Sequence, residues 1–180
     1  MSRPSAPKPA KLAASVLAGD RSRIVSALEA LSEEFGRIDF LSEYLPFDFT
    51  DYYEREFGKG LERRIASFEK PVSPDSLADI KRMTNRLEEA DAEKGQRRVN
   101  IDPGLLSEFN FVLATGKGYA HRVFLRDGIW ADLTLIYRAG EFLPLEWTYP
   151  DYAGEKIREI LKKIRMKYIC QLKTVNSEMI

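Results

Sequence analysis

A single cysteine and a single histidine stand in this chain of 180 residues, and their scarcity removes whole classes of chemistry. The lone Cys170 excludes a disulfide framework and any cysteine-based zinc site within one chain, which makes a reducing cytoplasm the expected compartment. The lone His121 excludes a His-rich metal site, so any imidazole chemistry has to run through that one residue. There is no Gly-x-Ser-x-Gly elbow to present a serine nucleophile. A Gly-x-Gly-x-x-Gly dinucleotide turn is missing too. No run approaches the ~20 apolar residues of a membrane helix. The Pro-rich start, Met1 to Ala10, lacks the apolar stretch of a signal peptide. Net charge is absent as well: 28 Lys and Arg balance 28 Asp and Glu, leaving no overall field to draw nucleic acid or anionic lipid.

What is present suffices for one domain, because a chain of this length buries roughly 70% of the surface its unfolded form exposes. A loose tail is expected over 1–10, a single domain over 11–175 and a short tail over 176–180. Lys11 to Leu17 reads as a strand. Asp20 then caps an amphipathic helix over 21–35, with Ile24, Leu28, Leu31 and Phe35 at helical spacing and Gly36 as its stop. Strands follow over 37–45 and Leu61–Phe68. Ser73-Pro74-Asp75 opens a second helix whose stripe is Leu77, Ile80, Met83 and Leu87. Arg97–Ile101 is β-prone. This order predicts an α+β fold with a ferredoxin-like βαββαβ core.

Beyond it, Asp102-Pro103-Gly104 repeats the cap-then-proline signal and predicts a short helix from Pro103 to about Leu113, closed by Gly116, with a buried strand as the alternative. Tyr119–Arg126 and Ile129–Arg138 flank Asp127-Gly128, a two-residue hairpin turn. Glu141–Trp147 completes a three-stranded antiparallel meander. A C-terminal helix over 153–172 turns Ile157, Ile160, Leu161, Ile164 and Tyr168 inward.

The densest chemistry lies in Leu45-Pro46-Phe47-Asp48-Phe49-Thr50-Asp51-Tyr52-Tyr53. Asp51 with Glu54 matches a capping box, and Gly58 would end a two-turn helix. The alternative is a cleft in which Asp48 and Asp51 hold Mg²⁺ beside a phosphate, with Tyr52 stacking or donating a hydrogen bond. A charge between Phe47 and Phe49 is costly to bury without a partner, so Asp48 is expected to be at least partly buried against Arg63 or Arg64. Counting back from the Asp127-Gly128 turn puts His121 opposite Thr134. Asp132 is then its diagonal neighbour on the same face, a candidate acid/base pair. Arg122 and Arg126 fall on the other face. Asn100 and Asp102 are weaker candidates. The basic face of the last helix, with Lys156, Arg158, Lys162, Lys163, Arg165 and Lys167, reads chiefly as solvated.

Pro46-Phe47-Asp48-Phe49-Thr50-Asp51-Tyr52-Tyr53, Val99-Asn100-Ile101-Asp102-Pro103-Gly104, His121 to Ile129, and Trp147-Thr148-Tyr149-Pro150-Asp151-Tyr152 together resemble the signature blocks of an uncharacterised bacterial protein family, domain of unknown function 4416. Some of its members carry an automatic label as GTP-binding proteins, so the resemblance implies GTP as one ligand. The residues answer only in part. A Walker loop needs Gly-x4-Gly-Lys-Ser/Thr, but Phe111 stands where its first glycine belongs and Gly118 follows Lys117 in place of a hydroxyl. Gly116-Lys117-Gly118 could still present amides and a charge to an anion.

Three functions follow. Ranked first is a small-ligand site for a phosphorylated or nucleotide-like molecule, built from Asp48, Asp51, Tyr52, Arg63, Lys117, Arg122, His121 and Asp132, with catalysis a further step. The second is an interaction or scaffold module without chemistry. The third is an RNA-associated α+β protein, which needs exposed aromatics beside a basic surface. No pattern sets an oligomeric state.

Overall fold

The computed structural model describes residues 3–48, 57 and 60–177, with side chains to residue 173. Among the described residues nine strands form one antiparallel sheet: β1 (Lys11–Ala18), β2 (Ile38–Leu41), β3 (Leu45–Pro46), β4 (Glu62–Phe68), β5 (Val99–Leu106), β6 (Asn110–Thr115), β7 (Arg122–Arg126), β8 (Ile129–Arg138) and β9 (Glu141–Pro144). The described helices are α1 (Arg21–Phe35), α2 (Leu77–Ala90), the single turn α3 (Pro150–Ala153) and α4 (Glu155–Ser177). The sheet order is β2-β4-β1-β5-β6-β8-β7, with β3 on β4 and β9 on β8. None of the described helices is long and apolar enough to cross a membrane.

Strand β1 is buried along its whole length because both faces are covered. Leu12, Ala14, Val16 and Ala18 meet α1 and α2 through Ile24, Leu28, Leu31, Leu77 and Ile80. Ala13 lies on the opposite face, in a second core with Ile65, Phe111, Leu113 and Leu135, and α4 closes that core with Ile157, Ile160, Leu161, Ile164 and Tyr168. The N-cap of α1 is Asp20, whose carboxylate accepts the Ser22 N–H at 2.8 Å, and Gly36 at φ 86° ends the helix.

Two element assignments need correction. Residues 103–113 are not a helix: β5 runs through Pro103, turns at Ser107–Phe109 and returns as β6. An apolar run buried on both sides carries no period to separate strand from helix, and the Asp-Pro signal therefore decided wrongly. Pro103 is tolerated in β5 because its nitrogen points away from β1, toward a side where pairing stops. The strand over 37–45 is in turn two pieces. Ser42 interrupts it, donating its N–H to the Ile65 carbonyl at 2.9 Å and accepting the Ile65 N–H on Oγ at 2.9 Å, so a side chain replaces one rung of the ladder.

The hairpin turn forms at Asp127 (φ 53°) and Gly128 (φ 76°). Its register differs from the simple count, because a bulge between Phe124 and Arg126 moves the pairing by one residue and sets Arg122 opposite Asp132.

Candidate ligand cleft

Strands β5 and β6 pair only from Gly104↔Leu113 to Leu106↔Phe111, although β5 begins at Val99 and β6 continues to Thr115. Pairing ends where Pro103 would have to donate, and it has no N–H. The two strands part there and a cleft of about 750 Å³ opens in the gap. The bare edge of β5 is satisfied by α2: Glu88 Oε1 accepts the Ile101 N–H at 2.8 Å and Lys81 Nζ donates to the Ile101 carbonyl at 2.8 Å.

Register places the walls. Leu17 on β1 pairs with Arg63 on one side and Asn100 on the other, while Ser15 pairs with Asp102, so all of these lie on one face of the sheet. Arg63 is only 5% exposed. Its guanidinium lies over the rings of Phe47 (4.6 Å) and Tyr152 (5.4 Å), and Nη2 donates to the Asp151 carboxylate. Its Nε–H is buried and finds no acceptor among the described residues. Asn100 Nδ2 donates to Asp102 Oδ2 at 2.6 Å, and Lys81 Nζ lies 3.7 Å from Asp102 Oδ1. Glu88, behind this wall, receives Arg97 Nη1 at 2.7 Å, and its burial pushes its carboxyl above the usual range. On the far side, Arg122 donates Nε to Asp132 Oδ2 at 2.9 Å, Nη1 to the Lys117 carbonyl at 2.8 Å and Nη2 to the Tyr149 hydroxyl at 2.6 Å.

Of the residues singled out from sequence, Arg63, Lys117, Arg122 and Asp132 line this one cleft, and so do the weaker candidates Asn100 and Asp102. His121 stands behind it: Nε2 is 3.3 Å from Asp132 Oδ2, and the ring stacks on Trp147 at 5.1 Å. The Asp132 oxygen that faces the imidazole thus also accepts the Arg122 bond, and Arg122 does not lie on the face away from Asp132 as counted. Asp48 is exposed, contrary to expectation, and Arg63 pairs with Asp151 in its place. The cause is strand alternation: Leu45 and Phe47 turn inward, Pro46 and Asp48 outward. Asp51, Tyr52 and the capping box lie outside the described residues. Among the described residues, no group of three or more His, Cys, Asp or Glu side chains gathers to hold a metal.

Sequence reasoning missed Lys81, Asn85, Tyr149, Asp151 and Tyr152, all in the cleft wall, and Glu88 behind it. For α2 the signal was present, since Lys81, Thr84 and Glu88 recur at spacings of three and four on its buried side. Tyr149, Asp151 and Tyr152 sit in a block quoted only for resemblance. No curated protein and no solved structure matches the chain. The family described as Domain of unknown function (DUF4416) matches over residues 8–168, and the chain belongs to that family.

Proposed function

We propose that the protein binds a small anionic organic molecule, phosphorylated or nucleotide-like, in the cleft between β5 and β6. The observation that carries this reading is Arg63, a buried guanidinium at the cleft wall with one donor unfilled. A buried donor without a partner costs free energy that a ligand oxygen would recover. Five cations (Arg63, Lys81, Arg97, Lys117 and Arg122) face three carboxylates (Asp102, Asp132 and Asp151) around the opening, with aromatic surface from Phe47 and Tyr149 beside them. Recognition of GTP would have to rest on these side chains. Gly116-Lys117-Gly118 leads from β6 toward β7, so no helix stands behind it to offer amides as a Walker loop does.

Nucleic acid is the poorer reading, because several cations of α4 already have partners within the chain. Lys162 pairs with Glu141 at 2.6 Å, Lys156 pairs with Glu43, and Arg165 donates to the Glu108 carbonyl at 2.9 Å. An interaction module keeps one observation in its favour, the exposed row Val123, Phe124 and Leu125 on edge strand β7. As to architecture, we read β2-β4-β1-β5 with α1 and α2 as a ferredoxin-like unit extended by β6 to β9. The support is that β1 lies between β4 and β5.

The test is a calorimetric titration and thermal-shift series with inorganic phosphate, nucleoside monophosphates and GTP, each with and without Mg²⁺. A ligand at 100 times its Kd should stabilise the fold by about 2.7 kcal/mol, and Lys117→Glu should weaken it. No response from any of these anions, or full affinity in Lys117→Glu, would overturn the reading.

A further inference from the structure

Arg63 and Asp151 form a buried pair, their side chains only 6% and 10% exposed, yet both belong to the cleft wall. A carboxylate therefore already occupies the most buried cation of the cleft wall. The neighbouring acceptors leave little alternative. Asp102 lines the same wall, so an anion added to Arg63 beside Asp151 would meet two carboxylates. An anion that takes the place of Asp151 gains Nη2 together with the unfilled Nε–H, the side-on pair of donors that suits two oxygens of one group.

Asp151 sits in a segment that has anchors of its own. It lies in the single turn α3, between Tyr149 and Gly154, the latter in extended backbone. The segment keeps its hold through Tyr152, which is 4% exposed and stacks on Phe111 at 5.9 Å, and through Thr148, whose Oγ1 donates to the Thr134 carbonyl at 2.6 Å.

We propose that Asp151 is a resident competitor: the ligand binds by displacing its carboxylate from Arg63, and the cleft thereby selects a dianionic phosphate monoester over a monocarboxylate. A ligand carrying one negative charge merely exchanges one carboxylate for another. A phosphomonoester brings nearly two charges and three acceptor oxygens. This inference rests on the ligand reading above.

The experiment compares the full-length chain with Asp151→Asn and Asp151→Ala, titrating inorganic phosphate and acetate and following both affinity and melting temperature. Removing the competitor should tighten phosphate by at least about tenfold, since the competent state no longer has to be opened. Asp151→Ala, which leaves Arg63 unpaired, should lose melting temperature and recover it with phosphate, and acetate should now bind as well. If phosphate binds the wild type and neither variant binds it more tightly, the competitor role is wrong and the ligand reading survives. If phosphate and acetate bind none of the three chains and restore no stability to Asp151→Ala, the competitor role falls, and the ligand reading falls with it when the nucleotides fail as well. Should Asp151→Asn fail to fold, the rescue of Asp151→Ala by phosphate decides alone.

Discussion

Gly104 shows how much can depend on one missing methyl group. A Cβ built there would come within 2.6 Å of Phe111 Cζ and 3.0 Å of the Val112 carbonyl oxygen, so the ring approaches β5 this closely only because residue 104 has no side chain. Gly104→Ala should therefore cost about 1–3 kcal/mol, the usual penalty of overpacking, and adding Phe111→Leu should return part of it. Urea denaturation of the two single variants and the double variant checks this as a cycle; strictly additive losses would contradict the clash. At this scale the sequence was readable in kind more than in place. A carboxylate paired with Arg63 was expected, but the acid is Asp151, 88 residues along the chain, and not Asp48, 15 residues away. Local pattern cannot weigh a partner that only the tertiary fold delivers.

At the scale of elements, the hairpin and the first helix were legible because each carries its own punctuation. Asp127-Gly128 supplies two positive φ angles, and Asp20 and Gly36 bracket α1. Gly128→Ala, forced into a left-handed backbone at φ 76°, should lose about 1–2 kcal/mol. Chemical shifts should move along β7 and the first half of β8 and stay put in β1. Uniform changes across the spectrum would indicate that the turn does more than join two strands. The bulge at Leu125 was not legible. No residue type marks it, and one extra residue sets Arg122 opposite Asp132 where the simple count has Val123. The misread helix at Pro103 has a related cause: a proline that usually opens a helix here ends a strand pairing, and only the neighbouring strand distinguishes the two.

The molecule as a whole is tied together by a buried ion pair far from the cleft. Lys11 on β1 is fully buried and donates Nζ to Asp39 on β2 at 2.5 Å and to Gln171 on α4 at 2.8 Å. Burial pushes the Asp39 carboxyl up, but hydrogen bonds from Lys11 and Ser67 outweigh it and hold the group below the usual carboxylate range. The stability it contributes is present above the unfolded carboxylate pKa of about 3.9 and is lost as pH falls through the depressed folded value. Asp39→Asn removes the charge that partners the buried Lys11 ammonium and should cost about 3–5 kcal/mol at neutral pH, with the gap to wild type closing on acidification. Denaturation midpoints measured from pH 7 down through the acid limb test this, and a gap independent of pH would refute it.

The opening between β5 and β6 is made by the main chain: a proline that cannot donate, and a ladder that stops after three rungs. Its hollow is therefore inherited separately from its chemistry. A chain that kept this junction, with Lys81 and Glu88 on the bare edge of β5, could exchange other side chains around the opening and still part its strands at the same place, so the fold supplies a reusable container whose contents are specified by a handful of replaceable residues.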